Sequence, residues 1–288
     1  MSQTDVSTMK QDTIHRAETR AAWDAIARGY DRTNTPTQMW LGNEGLRRAE
    51  LRPGMRFLDV AAGSGALSIP AARLGAQVLA TDQSPVMLEL LRDRARKEGL
   101  DIETRVMDGH ALDLDDNSFD VAGSQFGVML FPDMPKGISE MARVVRPGGR
   151  VLMHVYGDPR KIEFFGFLMH AIQSVRADFT GPPMDPPPLP FQLQSPERLR
   201  QELAAAGLQD IKIETITETT DFETGTALWE WLIWSNPIVE SVLGSLKLTN
   251  DERGEIREAL DRMVRERAGG GRAARLTNPI NVGIGTKG

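Results

Sequence analysis

Apolar and polar positions along the chain follow two rhythms. From Thr13 to Tyr30 the apolar residues Trp23, Ile26, Ala27 and Tyr30 recur at helical spacing, which predicts a helix. The polar residues 1–12 before it read as a frayed tail. A second helical stretch, Thr37 to Leu51, runs into Arg52-Pro53-Gly54, a turn signal. Beyond that turn, short apolar runs predict strands over Arg56–Ala61, Gln77–Asp82, Ile102–Asp108, Phe119–Ser124 and Gly149–Tyr156. Helical segments at Gly65–Leu74, Pro85–Glu98 and Pro135–Val145 lie between them. Strands separated by helix-length segments imply right-handed βαβ units, hence a parallel sheet with helices on both faces.

After Gly157 the alternation stops. Residues 158–180 read as a Phe-rich helix, and GPPMDPPPLP (181–190) as an extended linker. Ser195-Pro196-Glu197 is a helix start, a cap followed by an N1 proline, and Gly207 ends that helix. A strand is expected over Asp210–Thr219, helix over 224–268, and a last strand over Asn278–Thr286. A helical insert that long, between two strands able to form a hairpin, suggests a lid or substrate-binding cap. The expected organisation is an N-terminal helical cap at 1–45, a cofactor-binding α/β core at 46–157, and a helical insert with the Pro-rich linker at 158–193. The core resumes at 194–222, the cap insert spans 223–275, and 276–288 supply the last strand and tail.

Composition narrows the function. The 288 residues are 40% apolar and 26% charged, ordinary for a globular protein with a sizeable core. Net charge is −6 and the 34 basic residues are spread out, which argues against a nucleic-acid partner. The chain has no cysteine, so disulfides, thiolate metal sites and cysteine nucleophiles are excluded, and no metal site is expected. The polar first dozen residues carry no secretory signal, and the longest apolar stretch, Phe164 to Ile172, is too short to span a bilayer. A cytoplasmic location with no membrane span is the expectation.

The chemistry gathers at strand ends. Phe57-Leu58-Asp59-Val60-Ala61-Ala62-Gly63-Ser64-Gly65 runs from a strand into a glycine-bearing turn and a helix. Glycine there allows positive φ and close approach of a ligand to the backbone, and the helix beyond presents free N–H groups. The second strand ends at Asp82, where a carboxylate can take both hydroxyls of a ribose. The third ends at Asp108-Gly109-His110, the fourth runs into Gln125-Phe126-Gly127, and the fifth ends at Tyr156. In an open α/β sheet the carboxyl edge is where ligands bind, and five polar groups fall there together.

These segments resemble the successive motifs of class I S-adenosylmethionine-dependent methyltransferases. The residues concerned are Leu58-Asp59-Val60-Ala61-x-Gly63-x-Gly65, Asp82 with Ser84 and Met87-Leu88, Asp108-Gly109, and Arg146-Pro147-Gly148-Gly149. The resemblance is close over residues 20–157 and looser beyond. Ile26-Ala27-Arg28-Gly29-Tyr30-Asp31 is similar to the N-terminal element of the ubiquinone/menaquinone C-methyltransferase branch, also described as methyltransferase type 11. Phe126-Gly127-Val128-Met129-Leu130-Phe131-Pro132-Asp133 differs from the quinone enzymes, and Ala61 stands where many members have a first glycine. The resemblance implies an α/β, seven-stranded, mostly parallel Rossmann-like sheet with its last strand antiparallel. It also implies S-adenosyl-L-methionine as cofactor. Asp59 would order the methionine end, with the turn of Ala61, Gly63 and Gly65 against it. Asp82 would hold the ribose hydroxyls, Met87 would pack on adenine, and Asp108 would bond its amino group. Tyr30, Gln83, Gly109, His110 and Gln125 complete the expected cofactor contacts.

A strand-to-glycine turn can also bind a dinucleotide, but Gly63-Ser64-Gly65-Ala66-Leu67-Ser68 lacks the third small residue of that fingerprint. A carboxylate such as Asp59 would repel a pyrophosphate and attract a cationic amino group. The two tyrosines, Tyr30 and Tyr156, both map beside the site and, with His154, are the candidate catalytic groups; each also has a plain reading as a packed core residue. His170 reads as part of a half-exposed polar helix face. Trp229, Trp231 and Trp234 read either as the core of the insert or as walls of an apolar acceptor pocket. The arginines at 262, 265, 267, 272 and 275 read as a solvated face. The sequence therefore predicts direct in-line methyl transfer to a small, apolar acceptor beneath the cap, leaving open whether O, N or C is methylated and how many copies assemble. The rivals are a nicotinamide-dependent oxidoreductase and a non-catalytic S-adenosylmethionine-binding protein.

Overall fold

A computed structural model describes the backbone of residues 3–288 and the side chains of these residues except 3–16 and 241. Two helices, α1 (Gln3–Thr33) and α2 (Thr35–Arg48), precede the first strand. The stretch read as a tail is helical from Gln3 onward, so α1 begins ahead of the predicted start at Thr13. The α/β succession is β1 (Arg56–Val60), α3 (Ser68–Arg73), β2 (Gln77–Asp82), α4 (Pro85–Lys97), β3 (Ile102–Val106), β4 (Phe119–Gln125), α5 (Met134–Val144) and β5 (Val145–Tyr156). Then follow α6 (Glu163–Val175), α7 (Pro196–Ala205), β6 (Leu208–Phe222), α8 (Gly225–Ser235), α9 (Pro237–Ser245), α10 (Asn250–Ala268) and β7 (Ala274–Lys287).

The seven strands form one sheet in the order β3-β2-β1-β4-β5-β7-β6. β1 to β5 pair in parallel, while β7 lies antiparallel between β5 and β6, as the sequence resemblance implied. From β1 the chain proceeds outward to β2 and β3, then returns to the other side of β1 with β4. The gap between β1 and β4 is therefore a topological switch point, where a crevice opens at the carboxyl ends of the strands.

Pleating divides the core. Leu58, Val60, Val151 and Met153 face Ile138 and Met141 of α5 and Leu199 and Leu203 of α7. Phe57, Leu152 and Val282 meet Leu46 of α2 and Leu67. The approach of α2 is close: a Cβ on Gly45 would lie 2.2 Å from His154 Nε2, so only glycine fits there.

The predicted helical run 224–268 is three helices. Asn236 caps α9 ahead of Pro237, and Thr249 with Glu252 forms a capping box that starts α10. These helices carry a second core, in which Phe164 and Leu168 of α6 and Phe222 of β6 pack with Leu228, Trp231, Ile256 and Leu260. The Phe-rich segment is shorter than predicted, since a 3-10 turn at Pro159–Lys161 precedes α6.

Candidate active site

At the end of β1 the chain turns sharply: Ala61, Gly63 and Gly65 all have positive φ, at 57°, 53° and 100°. Asp82 at the end of β2 fastens that turn. Its carboxylate accepts the Gly63 N–H and the Ser84 N–H, each at 2.8 Å. Ser84 in turn caps α4 by accepting from the Met87 N–H at 3.1 Å. Burial pushes the Asp82 carboxyl up to about 6, against the hydrogen bonds that favour its charge.

These groups line a cleft of about 350 Å³. Tyr30, Ala61, Gly63, Asp82, Gln83 and Met87 form one part of it; Asp108, Gly109, His110 and Gln125 form another. Asp108 accepts the His110 N–H at 2.9 Å and holds the ring Nδ1 at 2.7 Å, so the imidazole stacks on Phe131 with centroids 4.4 Å apart. Two predicted residues fall outside the cleft. Asp59 is 1% exposed beneath the turn, where the Ser68 hydroxyl donates to it and burial pushes its carboxyl up to about 7. Gly65 packs against Leu91 and Ile69 instead. Both support the turn from below.

Part of the cleft comes from residues the sequence reading did not single out as contacts. Thr19 and Trp23 of α1 reach it, as do Phe126, Leu130, Phe131 and Lys136 from the segment after β4. Phe126 has φ of 57°, a conformation an aromatic residue holds only at a cost of about 1–3 kcal/mol. That turn lays its ring on Tyr156, centroids 4.6 Å apart. The signal available in the sequence was position: Phe126-Gly127 follows β4 at the edge where ligands bind.

A second cavity, about 140 Å³ and mostly apolar, adjoins the first and shares Trp23, Tyr30, Phe126 and Leu130 with it. Phe164, Leu168 and Met169 of α6, Val239, Val242 and Leu243 of α9, and prolines 182, 188 and 190 enclose it. The tryptophans singled out as possible walls lie elsewhere. Trp231, 3% exposed, packs on Phe164 and Phe222, and Trp229 is likewise in the cap core. The Trp234 ring covers Gly29 of α1. The wall combines aromatic rings from other elements, among them Phe164, Phe165 and Phe191, with aliphatic residues of α6 and α9.

The three candidate catalytic groups differ in placement. Tyr156 lines the apolar cavity and Tyr30 lines both. Burial, followed by nearby carboxylates, pushes both phenols well above their ordinary value, which favours the protonated hydroxyl. His154 lines neither cavity. It is fully buried, and burial pulls it down to about 3, so it stays neutral. It works as an orienting group: Gln125 Nε2 donates to the Gln38 carbonyl at 3.1 Å, which leaves Gln125 Oε1 to accept from His154 Nδ1 at 3.0 Å. His170 is exposed on α6 with Nδ1 near the Gly166 carbonyl. The arginines 265, 267, 272 and 275 pair with surface carboxylates.

One buried acid escaped the sequence reading. Glu218 of β6 lies opposite Asn278, whose side-chain amide donates to it at 3.0 Å, and burial pushes its carboxyl up to about 7. A glutamate alternating along a polar-looking strand gives no sign of burial. Among the described residues no group of His, Cys, Asp or Glu could hold a metal, and no helix is long and apolar enough to cross a membrane.

Comparison with known proteins agrees with this geometry. Residues 58–153 match the methyltransferase domain family. An uncharacterised protein of Mycobacterium tuberculosis is 44% identical over 103 residues, which are 36% of this chain and only 38% of that protein's length. A demethylmenaquinone methyltransferase of Corynebacterium glutamicum is 34% identical over 171 residues, covering 56% of this chain and 71% of that enzyme. Among solved structures, phosphoethanolamine N-methyltransferase 2 of Haemonchus contortus, in complex with S-adenosyl-L-methionine, shares the fold with a TM-score of 0.52 at 21% identity, over 86% of this chain and 52% of that one. The chain belongs to the class I S-adenosylmethionine-dependent methyltransferases, of the menaquinone C-methyltransferase-like type.

Proposed function

We propose that the protein moves a methyl group from S-adenosylmethionine onto a small apolar acceptor, menaquinone-like in character, held in the cavity beneath the cap. The observation carrying this reading is the pair of adjoining cavities, one acid-lined at the sheet edge and one apolar, with Tyr30 and Phe126 common to both.

The residues present fit the cofactor. The turn keeps backbone, not side chains, against the cleft: a Cβ on Gly63 would meet nothing closer than Tyr30 at 3.6 Å. Carboxylates at Asp82 and Asp108 suit hydroxyls, an amino group and a cation, and would repel a pyrophosphate. Asp82 would hold the ribose hydroxyls, Asp108 and Met87 the adenine, and Gly63 with Tyr30 the methionine side. When bound, the cofactor supplies a methyl group already activated by its positive sulfur.

The chain's own part is placement and exclusion of water. Tyr30 and Phe126 stand at the junction and limit how an acceptor enters. Helices α6 and α9 cover it with hydrocarbon, so water has few partners there. The neutral His154 fixes the Gln125 amide beside the junction. Incubation with S-adenosylmethionine and a reduced naphthoquinone should yield a product one CH2 heavier by mass spectrometry. Cofactor binding without transfer to this or other apolar acceptors would contradict the catalytic reading.

A further inference from the structure

The apolar cavity contains a polar feature that the proposed reaction does not explain. Gln38 and Tyr156 are among its lining groups with uncommitted hydrogen-bond donors. Gln38 of α2 is 3% exposed. Its side-chain oxygen accepts the Tyr30 hydroxyl at 3.2 Å, which leaves its nitrogen to donate. Its carbonyl is taken by Gln125, which His154 holds in turn. The helix position and amide orientation of Gln38 are thus set from two directions. Among the described residues the Gln38 side-chain nitrogen and the Tyr156 hydroxyl have no hydrogen-bond partner. Tyr156 is held by its ring alone, stacked on Phe126 and set edge-on to Phe164.

The Asn236 amide nitrogen and the Trp23 indole N–H are further donors on the lining, but neither side chain is as deeply buried as Gln38. Ser235 donates to the Leu232 carbonyl, and Asn236 accepts the Ile238 N–H as the cap of α9. Donors left unmatched in an apolar enclosure lose their water partners when a ligand fills it, a cost recovered only if the ligand brings acceptors. Gln38 and Tyr156 can both donate, and the Gln38 amide nitrogen can do nothing else.

We infer that Gln38 and Tyr156 are a specificity-determining pair that recognises an oxygen on the acceptor, so that the cavity selects apolar molecules presenting a hydroxyl or carbonyl oxygen over amines and plain hydrocarbons. This rests on the acceptor cavity proposed above. Burial pushes the Tyr156 phenol well above its ordinary value, which keeps the donor's proton in place. The pair also stabilises negative charge that develops on such an oxygen, as fixed donors do in water-poor sites.

The test is binding, so it does not depend on turnover. The protein saturated with S-adenosylhomocysteine is titrated with 1-naphthol, 1-naphthylamine and 1-methylnaphthalene, and binding is followed by calorimetry. 1-Naphthol should bind about tenfold more tightly than 1-methylnaphthalene, in keeping with one or two net hydrogen bonds. Tyr156→Phe and Gln38→Met should each lower that preference about threefold or more. Binding of the hydrocarbon and the melting temperature report whether each variant keeps its cavity. Equal affinities in the unaltered protein, preference for the amine, or an oxygen preference that survives both substitutions would overturn the inference. Binding of S-adenosylhomocysteine without any of the probes would overturn it while leaving the cofactor assignment standing. If S-adenosylhomocysteine itself fails to bind, the proposed function falls first and the inference with it.

Discussion

Trp231→Ala should destabilise the protein by about 3–5 kcal/mol, the range for removing a buried aromatic side chain. Trp231 is 3% exposed, with its ring 4.9 Å from Phe164 and 6.0 Å from Phe222. Its indole N–H reaches Thr37 Oγ1 at 3.4 Å, and its carbonyl accepts from Asn34 at 3.3 Å, so α8 is tied to the start of α2. The substitution leaves a void in the second core and exposes no new surface to the apolar cavity, whose walls are other residues. Thermal unfolding should therefore show a large drop. Cofactor affinity, and the specificity constant measured where the variant remains folded, should hold. An unchanged melting temperature with selectively impaired acceptor use would place the ring in the cavity after all.

The second large effect concerns Asp82→Ala, expected to weaken S-adenosylmethionine binding at least tenfold. Hydrogen bonds to a charged group contribute about 1.5–3 kcal/mol each, which sets that scale. The substitution also frees the Gly63 and Ser84 N–H groups that the carboxylate now holds. The pH dependence follows from the same group. Burial holds its carboxyl near 6, above the ordinary value, and ribose hydroxyls donating to it would favour the ionised form. Affinity should thus weaken as pH falls through about 6, and the alanine variant should lose most of that dependence. Calorimetry across the range checks both points. A folded variant with wild-type affinity would reduce Asp82 to a clasp on the turn.

The parallel half of the sheet was legible because strand and helix periods alternate there without interruption. β2, predicted over Gln77–Asp82, occupies those residues. The carboxyl-edge rule then brought Asp82, Asp108 and Gln125 to one cleft without knowledge of any contact. Periodicity reports that a residue is buried, not what it is buried against. Trp231 was therefore legible as an apolar position of the insert but not as core or pocket wall, and it is Leu243, not Trp231, that lines the cavity. Glu218 was missed for the converse reason, since a charged side chain in an alternating strand normally faces water. The positive φ of Phe126 has no signature in composition, and Gln38 acquires its role only because α2 packs within reach of Tyr30. Asp59 lies under the turn rather than on the cleft wall, where the Ser68 hydroxyl donates to it, a placement that the motif alone does not specify.

The central claim is that the acid-lined cleft is built for S-adenosylmethionine and not for a nicotinamide dinucleotide. Isothermal titration of the full chain with S-adenosylhomocysteine and, separately, with NAD and NADH tests it directly. Saturable binding of S-adenosylhomocysteine with no heat from either dinucleotide is the predicted result; tighter binding of a dinucleotide would contradict it.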